Sequence, residues 1–241
     1  MERERRASVA TFYAPGAWRE SVMLSVDAAH HARVRRLAVG DVVRLTSGDG
    51  RRAFGTIDSL GKSECIVRVD EASLELVPRP ASIELLVPIG DRDRMLLLAE
   101  KAVELGVSTW CPVLYARSRS VNPRGEGESF EAKVLARQVG ALEQSGSAWL
   151  PERKSAQLFD SVLETKGTRL LLDADGEALA RVAETIEFPV TVALGPEGGL
   201  EEAERAEFIR AGWRPASLGG NVLRFETAAI AALAILRSRG G

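Results

Sequence analysis

A chain of 241 residues, 45% hydrophobic and 27% charged, is long enough to bury the core of one large domain or two modest ones. Its net charge of -2 does not advertise a polyanionic partner, its two cysteines make no disulfide framework, and no apolar run approaches a membrane span. Met1-Glu2-Arg3-Glu4-Arg5-Arg6 has no apolar segment behind it, so no secretory signal is read, and a reducing cytoplasm is the expected location.

Residues 8–78 read as short strands. Segments 22–24, 41–45, 53–57 and 65–69 are β-branched or alternating, and Gly40, Gly48, Gly50 and Gly61 punctuate them. Short strands at such close spacing predict a small β-barrel, interrupted by one helix over about 27–37. Arg33, Arg35, Arg36, Arg44, Arg51 and Arg52 crowd this region against only Asp41 and Asp49. Such a face suits an RNA backbone. It equally suits plain solvation, which charge alone favours.

The stretch "LVPRPAS", residues 76–82, reads as a linker, and the hydrophobic period changes after it. Residues 83–87 form a buried-strand candidate. Met95, Leu98, Ala102 and Leu105 follow the spacing of an amphipathic helix that Gly106 can cap. Strands at 110–114, 169–172, 190–194 and 216–218 then alternate with helices at about 129–145, 177–185, 200–211 and 226–237. This order predicts an α/β domain with a mainly parallel sheet covered on both faces. The expected division is a barrel over 1–77 and the α/β domain over 78–241.

Ligands of open α/β sheets sit beyond the carboxyl ends of the strands. Three loops fall there: Asp173-Ala174-Asp175-Gly176, Gly195-Pro196-Glu197-Gly198-Gly199, and residues 218–227. Glycines bring backbone close to a ligand, and backbone donors and acceptors suit a ring edge such as adenine. A Gly-Lys-Ser phosphate loop and a G-x-G-x-x-G fingerprint are both missing. Leu200-Glu201-Glu202 opens the following helix with acid, which repels phosphate. His30 and His31 are adjacent and cannot share one helix face, so no metal is expected. Cys65 and Cys111 lie in apolar runs and read as buried structural thiols.

Plainer readings stand beside these. Glu226-Thr227 could simply open the last helix, Arg224 could clamp Glu197, and His31 could pack within the barrel. The run 228–236 is apolar nearly all round and belongs in a core or a subunit interface.

Leu194-Gly195-Pro196-Glu197-Gly198-Gly199, paired with Leu218-Gly219-x-x-Val222-Leu223-Arg224-x-Glu226-Thr227-Ala228, resembles the RsmE-type family. These are 16S ribosomal RNA uracil-N3 methyltransferases of the SPOUT superfamily. Glu100-Lys101-Ala102-x-Glu104-Leu105-Gly106-Val107, Pro112, Arg117-Ser118, Ala141-x-Glu143-Gln144-Ser145, Pro151, His31-x-x-x-Arg35-Arg36 and Gly40-Asp41 extend the likeness over nearly the whole chain, in family order.

The resemblance implies a PUA-like RNA-binding barrel followed by a trefoil-knotted SPOUT α/β domain. It implies S-adenosylmethionine as methyl donor, held by Leu172, Leu194, Gly195, Glu197, Gly199, Leu218, Gly219, Val222 and Leu223. Arg224 would stabilise charge developing on the uracil, and Glu226 would act as base or orient Arg224. His31, Arg33, Arg35, Arg36, Arg117 and Arg119 would meet RNA. The implied partners are 16S rRNA or the 30S subunit, and a second copy in a homodimer. The chain departs from the family at Thr11-Phe12-Tyr13, where an arginine leads the aromatic pair, at Ser147 in a segment that lacks a usual arginine, and at Ile89 in place of a lysine. These departures bear on RNA contacts and not on the donor pocket. Two alternatives remain: a SPOUT enzyme for another RNA, such as transfer RNA, and a non-catalytic RNA-binding relative.

Overall fold

The computed structural model describes residues 9–120 and 125–239, apart from the side chains at 119 and 120. The chain divides into two compact units, residues 1–79 with 139–150, and residues 80–138 with 151–241.

The first unit runs β1 (Thr11–Tyr13), β2 (Ser21–Leu24), α1 (Val26–Val34), β3 (Val42–Thr46), β4 (Arg51–Leu60), β5 (Cys65–Val69) and β6 (Glu75–Leu76). Its sheet has the order β1-β3-β4-β5-β2, with β6 on β4. Among the described residues no ladder joins β1 to β2, so the sheet is a half-barrel. Phe12, Leu45, Ile57, Cys65 and Val67 point to one core. Ala28, Ala29 and Ala32 join it from α1, and their small side chains let the helix lie close to the sheet. A Cβ at Gly55 would stand 2.5 Å from Val67 Cγ1 and 2.8 Å from Arg68 O, so β4 admits only glycine there.

Residues 139–150 are held in this unit by specific bonds. Tyr13 N donates to Glu143 Oε1 at 2.8 Å, Thr46 Oγ1 to Ser147 O at 2.9 Å, and Trp149 Nε1 to Val77 O at 3.1 Å. Three-residue β1 was not expected from the sequence, because so short a run carries almost no period.

The second unit runs β7 (Ile83–Pro88), α2 (Arg92–Glu104), β8 (Thr109–Leu114), the first part of α3 (Glu128–Ser145, whose residues 139–145 belong to the first unit), β9 (Glu152–Arg153), β10 (Gln157–Leu158), β11 (Thr168–Ala178), α4 (Leu179–Val182), β12 (Val190–Leu194), α5 (Glu202–Arg210), β13 (Arg214–Ser217) and α6 (Phe225–Arg237). Its sheet order is β10-β8-β7-β12-β11-β13, with β9 on β8. Every pairing is parallel. A parallel sheet is covered on both faces, which is why β12 is apolar and buried at nearly every position. Ile83, Leu85 and Val87 face Leu98, Ala102, Ala229 and Leu233 on one side, while Leu86, Leu171 and Ala193 face Phe208 and Trp213 on the other.

The two-residue strands β9 and β10 were not expected, and two further elements differ from expectation. The segment 173–176, expected as a loop, lies inside β11, and the helix expected over 177–185 shrinks to α4. The cause is β13, which pairs with Glu177 and Ala178 across a register irregularity after Leu172. Gly176 permits this approach: a Cβ there would stand 2.4 Å from Ala216 N.

Candidate active site

A cavity of about 610 Å³ lies where β12 and β13 end, beside Leu172–Asp175 within β11. This is the carboxyl edge of a parallel sheet, where the strand ends leave room between loops. Leu172, Leu194, Gly195, Glu197 and Gly199 line it, and so do Leu218, Gly219, Val222, Leu223 and Arg224. The structure therefore brings both glycine-bearing loops to one hollow. It also brings in Asp173, Asp175, Arg205 and Arg94.

The first loop is a tight turn. Gly199 has φ +72°, and its N–H donates to Pro196 O at 2.8 Å. Arg117 Nη1 donates to Gly198 O at 2.7 Å. Glu197 reaches to the turn between β7 and α2: its Oε1 accepts from Asp91 N at 2.9 Å. Gly90 makes this possible, since a Cβ there would stand 2.6 Å from Glu197 Oε2.

Arg94, in the first turn of α2, stands between two carboxylates. Its Nη1 is 3.8 Å from Glu197 Oε1 and its Nε is 3.9 Å from Glu226 Oε1. Glu226, in the first turn of α6, is 6% exposed, and its Oε2 has no hydrogen-bond partner among the described residues. Glu226 is not part of the cavity wall described above. Arg224 is the N-cap residue of α6, and its exposed side chain makes no hydrogen bond or ion pair with the described residues. Glu197 thus takes Arg94, rather than Arg224, as its cation.

On the opposite wall Arg205 Nε donates to Asp173 Oδ2 at 2.6 Å. Asp173 Oδ1 accepts from Asp175 N at 3.0 Å. The Asp173 carboxylate beside it raises the Arg205 pKa above its ordinary value. Sequence reasoning named the Asp173 loop but passed over Arg205 and Arg94. Both stand early in helices that follow strands of the parallel sheet, and that position was the available signal.

In the first unit, Arg33 lies on α1, and Arg35 and Arg36 lie just beyond its end, all three exposed. His31 packs edge-on against Phe12, with ring centroids 5.9 Å apart. Its Nε2 accepts from Arg35 Nε at 3.0 Å, and its Nδ1 is 3.6 Å from Glu143 Oε2. Burial pushes the Glu143 carboxyl above its usual range. Arg117 belongs to the second unit, and the Arg119 side chain lies outside the described residues. At the departures from the family pattern, Thr11 and Ile89 are buried, and Ser147 Oγ accepts from Trp149 N at 3.2 Å.

Comparison with known proteins adds the family. Residues 24–70 match the RNA methyltransferase PUA domain, and residues 77–237 match the RNA methyltransferase domain. Ribosomal RNA small subunit methyltransferase E of Rickettsia conorii is 27% identical over 234 residues, covering 92% of each chain. A Legionella pneumophila protein solved with bound S-adenosylmethionine is 30% identical with a TM-score of 0.85, covering 96% of this chain and 98% of that one. Ribosomal RNA small subunit methyltransferase E of Neisseria gonorrhoeae, solved bound to S-adenosylmethionine, shares the fold at a TM-score of 0.79 and 24% identity, over 95% of this chain and 97% of that one. The match from residue 77 to residue 237 takes in every strand and helix that frames the cavity, and the chain belongs to the RNA methyltransferase domain family.

Proposed function

We propose that the chain transfers the methyl group of S-adenosylmethionine to N3 of a uridine in 16S ribosomal RNA. The observation that carries this reading is the cavity at the strand ends, walled by two glycine-bearing loops. Its volume falls in the range of small-molecule sites, roughly 300–1,000 Å³. In the Legionella and Neisseria proteins S-adenosylmethionine is bound. Leu172, Leu194, Gly195, Glu197, Gly199, Leu218, Gly219, Val222 and Leu223 are the proposed donor contacts, acting through backbone hydrogen bonds and apolar contact with adenine. The donor supplies an electrophilic methyl on sulfur, and S-adenosylhomocysteine leaves.

The uracil N3 is the nucleophile, so no protein nucleophile is required. N3 carries a proton at neutral pH, and the site must ease its loss as the N–C bond forms. Arg224, exposed at the cavity wall with its donors unspent among the described residues, is suited to stabilise negative charge at O2 or O4. Glu226, two residues further on, is the proposed base or the group that orients Arg224. Holding the two reactants in line accounts for much of the remaining acceleration.

The proposed domains are an RNA-binding barrel over 1–77 and a catalytic domain over 78–241. His31, Arg33, Arg35, Arg36, Arg117 and Arg119 are the proposed RNA contacts, the partner is 16S rRNA or the 30S subunit, and the location is the cytoplasm. A homodimer completes the reading, and Ile230 and Ile235 of α6, only partly covered, suit an apolar contact with a second copy.

The test is incubation with labelled S-adenosylmethionine and small ribosomal subunits from a strain lacking the native activity. Label in 3-methyluridine is expected. No label in RNA, together with no donor binding by calorimetry, would sink the reading.

A further inference from the structure

The cation that links the cavity's framing segments does not come from either glycine loop. It comes from α2, the helix after β7. Arg94 lies 3.8 Å from Glu197 in the loop after β12 and 3.9 Å from Glu226 at the start of α6. No hydrogen bond forms between its guanidinium and the described residues. Both separations exceed that of a hydrogen-bonded ion pair, so the hold is Coulombic. Glu226 Oε2 is buried without a hydrogen-bond partner, and Arg94 is its only ion-pair cation among the described residues. Removing one partner of a buried ion pair leaves the other without compensation.

Loss of Arg94 would leave Glu197 and Glu226 without that shared cation. Relief would come by separation of the two segments. That change would be felt at Arg224, two residues from Glu226. A second tie, Asp91 N to Glu197 Oε1, runs along the same seam between α2 and the glycine loop.

We propose that Arg94 is a positioning residue for methyl transfer: it joins the Glu197 loop to the start of α6 and so sets the place of Arg224. This rests on the methyltransferase reading above. Arg94 acts through the two carboxylates, so its removal should lower kcat more than it weakens binding of RNA.

The experiment compares wild type, Arg94→Gln, Arg94→Lys, Glu197→Gln and the Arg94→Gln/Glu197→Gln double variant. Donor binding is followed by calorimetry, folding by melting temperature, and transfer by kcat and KM well below the melting point. For Arg94→Gln, kcat should fall about 10- to 100-fold, as expected of a misplaced reacting group, with KM for RNA nearly unchanged. Arg94→Lys should recover part of the loss. The double variant should be no slower than Arg94→Gln, because the two residues act as one unit. A kcat for Arg94→Gln within twofold of wild type, losses that multiply in the double variant, or no recovery with lysine would each overturn the proposal. If Arg94→Gln does not fold, Glu197→Gln carries the test, with a smaller loss of kcat expected and an unchanged kcat overturning the idea. Failure of wild type to bind donor or transfer methyl would overturn the functional reading as well. A fully active wild type beside an equally active Arg94→Gln would overturn only the role of Arg94.

Discussion

In the second unit the cavity is shaped largely by backbone. Gly176 lets β11 lie against β13, Gly90 makes room for Glu197, and Gly199 closes a turn that Arg117 holds from outside. In the first unit the proposed RNA face is shaped by side chains. Arg33, Arg35 and Arg36 are exposed on and beyond one short helix, and the side chains of Arg33 and Arg35 hydrogen-bond histidine rings. A backbone-built cavity leaves a mark in the sequence, because only glycine fits where a Cβ would collide. A row of exposed arginines leaves a weaker mark, since solvation explains it equally well. The two regions should therefore respond differently to substitution, the first in rate and the second in salt dependence.

The largest effect expected at neutral pH is at the cavity wall. Arg224→Ala should lower kcat by about 10²–10³, the usual loss on removing one donor to a developing negative charge. Its side chain is exposed and unpaired among the described residues, so the melting temperature should hardly move. A loss of stability that matches the loss of rate would give Arg224 a structural role and blur the contrast between the regions.

A middling effect is expected in the first unit. Replacing Arg33, Arg35 and Arg36 together by Ala should weaken RNA binding and flatten its log–log salt dependence by about 2, near 0.7 per lost phosphate contact. Donor binding should stay unchanged. Filter binding across a salt series checks this, and an unaltered slope would return the arginines to plain solvation.

The smallest effect vanishes at neutral pH and compares the interiors of the two units. Cys65 and Cys111 are both buried, and burial raises both thiol pKa values, that of Cys111 from 9.0 to about 11. An acid whose pKa is raised by folding contributes stability below its unfolded pKa and loses it as pH rises towards the folded value. Urea midpoints should therefore decline between about pH 9.0 and pH 11. Cys111→Ala should show less of that decline. An identical slope in the variant would mean that Cys111 does not titrate with unfolding.

The alternation of apolar segments announced the parallel sheet, since each buried strand and each amphipathic helix follows a local period. The glycine loops announced the cavity because Gly199 and Gly219 take a positive φ that other residues adopt only with strain. Other features were not legible. The bond between Asp91 and Glu197 joins positions 106 residues apart, and no local pattern encodes it. Arg94 carries no motif that sets it apart from other polar residues at a helix start. The stretch 173–178 carried turn residues, and only pairing with β13 made it strand. Residues 139–145 continued a helical pattern, while bonds from 139–150 to Tyr13, Thr46 and Val77 placed that stretch in the first unit.

By itself the sequence determined the order of the longer strands and helices, the α/β class, the two glycine loops and the acidic helix start that disfavours phosphate. These rest on backbone sterics and local period, which neighbouring residues carry between them. Tertiary structure alone decided that Glu197 meets Arg94 and Asp91, that Arg205 joins the wall through Asp173, and that Arg224 is left exposed. Partnership between charges depends on distance in space, and these partners meet only once the chain has folded.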